Sequence, residues 1–211
     1  SSDHPAVTVE VPTTGWIQYI DEDELIDAVG DGATIELLHP VGTFVFAESE
    51  LLRVSGVAED EISRERLHHA VVIGAVRTMQ QDVSYGITRL NDIGLRALSP
   101  GVNDPNTARE VVMRLAQVVL RLQEVELDPE VVEVNRRRVV RRGAVTHDDY
   151  VRAGFDQLRR AAHDDLATTT TLARALTVLR DETRRRGLPG TTDEIERQLE
   201  AAEATIETIS R

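Results

Sequence analysis

The chain has 211 residues, with 24 basic against 37 acidic side chains and a net charge of -13; every basic position is Arg, and Lys and Cys are both absent. Without Lys there is no phosphate-gripping Walker lysine, no Schiff base and no lipoyl or biotinyl carrier, and without Cys no thiol nucleophile, thiolate zinc site, iron–sulfur cluster or disulfide. An aromatic content of 3% and the acidic balance oppose base stacking and phosphate binding, so no nucleic-acid partner is expected. No run approaches the roughly 18 apolar residues of a membrane span, and the opening SSDHPAVTVEVP has neither a basic nor an apolar leader region, which predicts a soluble chain without a leader.

Charge divides the sequence. Residues 1–52 hold 11 acids and no base, whereas residues 53–211 hold 26 acids and all 24 Arg. The acidic part is strand-like, with alternation in AVTVEV, GWIQYI, TIELL, GTFVFA and LLRVSG between Gly and Pro turns. A short helix is expected over 21–29, acids at its start and Leu25, Ile26 and Val29 on one face. A last strand follows over 69–76. Thr78 to Gln81 matches a capping box, predicting a helix over 79–98 with Met79, Val83, Ile87, Leu90, Ile93, Ala97 and Leu98 on its apolar face. Asp104 before Pro105 is a strong N-cap with proline at the first helical position, opening a helix to about 126. The short turn between these two helices predicts an antiparallel hairpin. Two short strands around Asn135 and helices over 148–163, 167–186 and 193–209 complete the chain, with Gly187 to Gly190 as a stop.

Residues 72–108 carry an unusual block: Arg77-Thr78, Gln81-Asp82, Tyr85-Gly86-Ile87, Asp92-Ile93, then Arg96-Ala97-Leu98-Ser99-Pro100-Gly101, Asn103-Asp104-Pro105 and Thr107-Ala108. This block resembles the signature of a family of predicted bacterial multi-pass membrane proteins, domain-of-unknown-function family 2254. Gly15 to Asp21 and Pro40 to Val45 resemble that family more weakly. The second stretch is also similar to lipoyl and biotinyl hairpins, whose carrier role the missing Lys forbids. Asn91, Gly94 and Asn106 stand where the family pattern leads one to expect apolar residues. The resemblance covers roughly residues 14–165 and implies a membrane-associated, cytoplasm-facing soluble part, tethered through transmembrane helices absent from this chain. It implies no activity.

Several constellations have both a functional and a structural reading. Around the Ser99 to Thr107 turn, backbone N–H groups with Arg96, Asn103, Asn106 and Thr107 can take an anion or the polar end of a small ligand; structurally, Asp104 caps a helix and Pro-Gly sets a turn, which is the favoured reading. Asp82, Tyr85, Arg89, Asp92 and Arg96 alternate in sign at helical spacing. Asp82 and Asp92 would lie about 15 Å apart along a helix, too far for one acid–base pair, so a salt-bridged helix face is preferred. His147-Asp148-Asp149 and His163-Asp164-Asp165 resemble metal ligand sets, yet they would sit about 24 Å apart near the ends of one helix, and no metal is assigned. Arg136, Arg137, Arg138, Arg141 and Arg142 either touch anionic headgroups or neutralise the acidic excess within the fold or across a subunit interface.

The expected fold is α+β: a small β-rich, barrel- or sandwich-like N-terminal module over 1–62, then a mainly α-helical domain over 63–211. That domain contains a long helical hairpin at 78–126, a short β-hairpin at 131–145 and three C-terminal helices. The expected function is a non-catalytic domain of a membrane protein, a homo-oligomer serving subunit assembly or ligand sensing, without a cofactor. An enzyme, such as a metal-dependent hydrolase using 82–107, and a gating domain of a channel or transporter are the alternatives. The candidate ligand-binding residues are Asp82, Arg89, Asp92, Arg96, Ser99, Asn103, Asp104, Asn106 and Thr107, with no catalytic residue assigned.

Overall fold

The computed structural model describes residues 5–190 and 192–211; the reading of a leaderless start falls in part on residues 1–4, outside that range. The chain divides into two compact units, one comprising residues up to 85 together with 128–144, the other 86–127 together with 145–211.

The first unit contains β1 (Val7–Glu10), β2 (Gly15–Ile20), α1 (Glu22–Asp27), β3 (Thr34–Leu37), β4 (Phe44–Val45), β5 (Glu50–Ser55), α2 (Arg64–His69), β6 (Val71–Gly74), β7 (Val131–Val134) and β8 (Arg137–Arg141). Alternation along the strands buries Val9, Ile35, Leu37, Leu52 and Val54 in one core with Leu25 and Ile26 of α1 and Leu67 of α2. Asp21 accepts from Glu24 N at the start of α1, and Ser63 caps α2.

The barrel or sandwich expected for the N-terminal module does not form. The strands make two open sheets, β1-β5-β3-β8-β7 and β4-β2-β6. Closure would require β3 to turn back towards the other strands; instead, its free side pairs in parallel with β8, from Thr34↔Arg138 to Leu37↔Arg141. Charge gives the physical reason. Arg137 and Arg136 meet Asp31, Arg141 meets Glu22 at 2.5 Å and Arg142 meets Glu36 at 2.5 Å, so the returning hairpin neutralises a segment that owns no base. Asn135 and Arg136, both at positive φ, form its tight turn.

The second unit is helical: α3 (Val83–Leu98, whose first residues precede the unit), α4 (Pro105–Gln123), α5 (His147–Ala161), α6 (Leu166–Arg186) and α7 (Asp193–Ile209). Its core joins Val112, Leu115 and Val119 of α4 to Val151, Phe155 and Leu158 of α5, Leu172, Leu176 and Leu179 of α6, and Ile195 and Leu199 of α7. Each such buried side chain stabilises by about 1.5–3 kcal/mol. The side-by-side helical hairpin is α6 with α7, joined through the left-handed Gly187; α4 packs on α5 and α6. The expected α3–α4 hairpin is therefore corrected. α3 sets its buried face on α5, with Asn91 donating to Ala153 O, and meets α4 around Gly94 and Val111 rather than lying along it. A methyl group on Gly94 would lie 2.6 Å from Leu158 Cδ2, so Asn91 and Gly94, two of the three positions that depart from the apolar pattern, serve this approach.

Thr78 does not cap α3. The helix starts at Val83, and Asp82 accepts from Tyr85 N at 2.9 Å. Gln81, expected to close the capping box, instead bonds both the N–H and the C=O of Ile20, at 2.9 and 3.2 Å, as a short strand would.

Candidate functional site

Three stretches of the signature and of the weaker upstream match converge within the first unit. Arg77 donates through Nε to Asp82 Oδ2 at 2.5 Å and through Nη2 to Oδ1 at 3.1 Å. The Asp82 side chain is 4% exposed and that of Arg77 24% exposed, so the pair is shielded from bulk water. The guanidinium lies 5.7 Å from the Trp16 ring centroid and 5.3 Å from that of Tyr85, a cation held between two aromatic rings. Gly42, at φ +85°, closes the arrangement: a methyl group there would overlap the Asp82 carboxylate and stand 2.8 Å from Arg77 Nη2. Asp82 thus caps the first turn of α3 and is itself held by Arg77 against the turn before β4. Sequence reading placed Asp82 on a helix face and missed Arg77 and Gly42 as its neighbours and Trp16 beneath Arg77; the signal was the occurrence of all four inside family-like stretches.

The turn from Ser99 to Thr107 is closed largely by its own bonds. Ser99 Oγ donates to Arg96 O, Asn103 N to Ser99 O and Asp104 N to Ala97 O. Asp104 accepts from Thr107 Oγ1 at 2.6 Å and Thr107 N at 3.1 Å. The Thr107 hydroxyl and amide hold the Asp104 carboxyl below the usual range. Arg109 bonds Asn106. Arg89 pairs with Asp92 at 3.2 Å, leaving Asp82 apart from both. Among the described residues, the exposed side chains of Arg96 and Asn103 have no partner, and Asn103 sits at φ +46°.

The His-Asp-Asp triplets serve helix ends. Thr146 and Asp149 form a capping box on α5, Asp165 caps α6 through Thr168, and His147 and His163 contact the carbonyls of Val125 and Arg160. Among the described residues, no three His, Asp or Glu side chains gather where a metal could be held. Between α5 and α7 lies a more buried network: Arg159 bonds Asp156 and Gln198, and Glu194 accepts from Gln198 and Arg197. Burial pushes the Glu194 and Asp156 carboxyls up, but the hydrogen bonds, from Arg197 and Gln198 to Glu194 and from Arg159 and Gln198 to Asp156, together with nearby Arg charges, outweigh it and hold both low.

One surface was not anticipated. Trp16 and Phe44 stack edge to face at 5.2 Å, and Phe44 and Phe46 at 5.4 Å, on the outer side of the β4-β2-β6 sheet. Phe44 is 42% and Phe46 65% exposed. The alternation in GTFVFA put both rings on one face, but nothing local said that this face would meet no core.

Among the described residues, no helix is long and apolar enough to cross a membrane. An uncharacterised protein of Mycobacterium bovis and one of Mycobacterium tuberculosis are each 37% identical to this chain over 120 residues. The match takes in 54% of this chain and 23% of each relative, so the chain spans less than a quarter of their length. No solved structure matches significantly. The sequence profile of a family described as predicted membrane protein, DUF2254, matches residues 1–178, well over half of the chain, and the chain belongs to that family.

Proposed function

We propose that this chain is a non-catalytic, cytoplasm-facing domain through which a DUF2254 membrane protein assembles its subunits. The observation that carries the reading is the use of two of the three signature carboxylates as helix caps: Asp82 is held by Arg77 and Tyr85 N, Asp104 by the hydroxyl and amide of Thr107. With Asp92 paired to Arg89 as well, this use of the carboxylates supports an architectural signature over an acid–base site.

Its outward helix face is suited to a second copy. On α3, Ile93 is half-exposed beside Asp92 and the unpaired Arg96. Two such helices laid antiparallel place Asp92 of each opposite Arg96 of the other, giving a self-complementary contact around Ile93. The chain has no Cys, so an Ile93→Cys variant carries one thiol. A short bis-maleimide is expected to cross-link it into dimers, whereas Met113→Cys, exposed on α4, stays uncoupled. Equal yields at both positions would sink the assembly reading.

Arg96 and Asn103 favour a second reading, the sensing of a small anion at the 99–107 turn, with Arg89, Asp92, Ser99, Asn106 and Thr107 around it. Phosphate would then raise the melting temperature of the native chain but not that of Arg96→Ala.

A further inference from the structure

The outer face of the β4-β2-β6 sheet combines three features. Register places Trp16 opposite Phe44 on one side and Gly74 on the other. Phe46 and Val72, each two residues along from a member of that row, share its face, while Ile17, Val45 and Val71 point into the core. Two of the three Phe residues of an aromatic-poor chain therefore stand exposed, with the only Trp half-buried beside Phe44.

The second feature is electrical. Residues 11–20, 40–47 and 70–76, which form the sheet and its flanking turns, contain no acidic or basic side chain, in a chain that is 29% charged. The nearest cation, Arg77, lies over Trp16 and is already neutralised by Asp82. Third, β4 is two residues long, and both sheet edges leave backbone groups unpaired by strands, which forbids entry into hydrocarbon but suits the hydrated headgroup boundary.

We propose that this face rests in the headgroup–acyl boundary of a zwitterionic bilayer, with Trp16, Phe44 and Phe46 as the contacting side chains; the inference rests on the reading that the chain serves a membrane protein. Trp and Phe rings beside neutral polar groups match the interfacial zone chemically. A charge-free face avoids the cost of desolvating ions there. Anionic lipid is disfavoured, because the module's acids repel it and the five arginines of 136–142 are spent on acids of the same unit. A second copy is disfavoured as the occupant of this face, because its residues offer no opposite charges to offset the repulsion of two chains of charge -13, as Asp92 and Arg96 of α3 do.

Trp16 is the sole Trp, so its emission reports this face alone. Two arms test the proposal with the whole chain. In the first, Arg211→Cys is coupled to a maleimide lipid in phosphatidylcholine vesicles with brominated acyl chains; a blue shift and quenching of Trp16 are expected. In the second, the free chain is sedimented with phosphatidylcholine vesicles. Phe44→Ser with Phe46→Ser, both at exposed positions, is expected to lower partitioning at least about tenfold, or about 1.4 kcal/mol, with an unchanged melting curve. Added phosphatidylglycerol is expected to weaken binding.

An unshifted, unquenched Trp16 on the tethered chain overturns the proposal. So does binding that strengthens on anionic vesicles and survives the double substitution. A blue shift that grows with protein concentration without lipid, alongside a doubled mass, would assign the face to a second copy instead. Failure of the assembly reading shows separately, as a monomeric mass with the lipid response intact.

Discussion

Gly42→Ala tests the Arg77–Asp82 anchor most sharply, because the position combines a left-handed backbone with a filled site. At φ +85° any L side chain is strained by roughly 1–2 kcal/mol. The added methyl also displaces the Asp82 carboxylate. Losing the α3 cap costs about 1 kcal/mol, and losing a charge-assisted bond to a buried group about 1.5–3 kcal/mol. Partial relaxation trims the sum, and a loss of about 3–5 kcal/mol is expected, a large part of the stability of an ordinary domain. Gly32 supplies the control: at φ +92° it is equally left-handed, but a methyl group there approaches only Gly56 O, at 4.0 Å. Gly32→Ala should therefore cost only the roughly 1–2 kcal/mol of backbone strain. Urea unfolding followed by Trp16 emission compares the two, since Arg77 stands over that ring. Equal losses for the two variants would refute the anchor as described.

Further outcomes follow from other contacts. Gly190→Ala drives a methyl group into the amide of fully buried Gln123, and a loss of about 1–3 kcal/mol is expected; adding Gln123→Ala should restore part of it, which a double-mutant cycle in urea would read. Arg141→Ala removes paired bonds to Glu22 and is expected to cost about 1.5–3 kcal/mol, whereas Arg138→Ala, with an exposed contact to Glu133 at 3.8 Å, should cost about 0–1 kcal/mol. Glu194 and Asp156 are held below their ordinary pKa in the folded chain, so their stabilisation is present at neutral pH and is lost as pH falls through and below the usual carboxylate range. Glu194→Gln should flatten that acid limb in thermal melts, and an unchanged limb would count against the network.

What was legible in the sequence was local. Asp104-Pro105 announced the start of α4, and Gly187 the end of α6, because a cap or a left-handed glycine acts on its own neighbours. What was not legible depended on distant partners. Thr78 matched a capping box as well as any sequence can, yet Asp82 won the role because Arg77 and the space at Gly42 fix its carboxylate, and Gly42 lies 40 residues away. The return of β8 to β3 was hidden for the same reason: a charge imbalance in residues 1–52 gives a motive for an Arg-rich partner but not the parallel register. Alternation in GTFVFA said which residues share a face, and only the assembled sheet showed that the face stays bare. For the candidate ligand residues, spacing grouped Asp82 with Arg89, Asp92 and Arg96; the fold draws Asp82 into the Arg77 anchor and leaves Arg96 unpaired.

The central proposal is that this chain assembles subunits without performing chemistry. Light scattering of the purified chain across a concentration series, beside an Ile93→Glu, Arg96→Glu variant, tests it most directly. A dimer or higher mass that grows with concentration and reverts to the monomer in the variant is the predicted result, and a monomeric mass of 23.4 kDa at every concentration would contradict it.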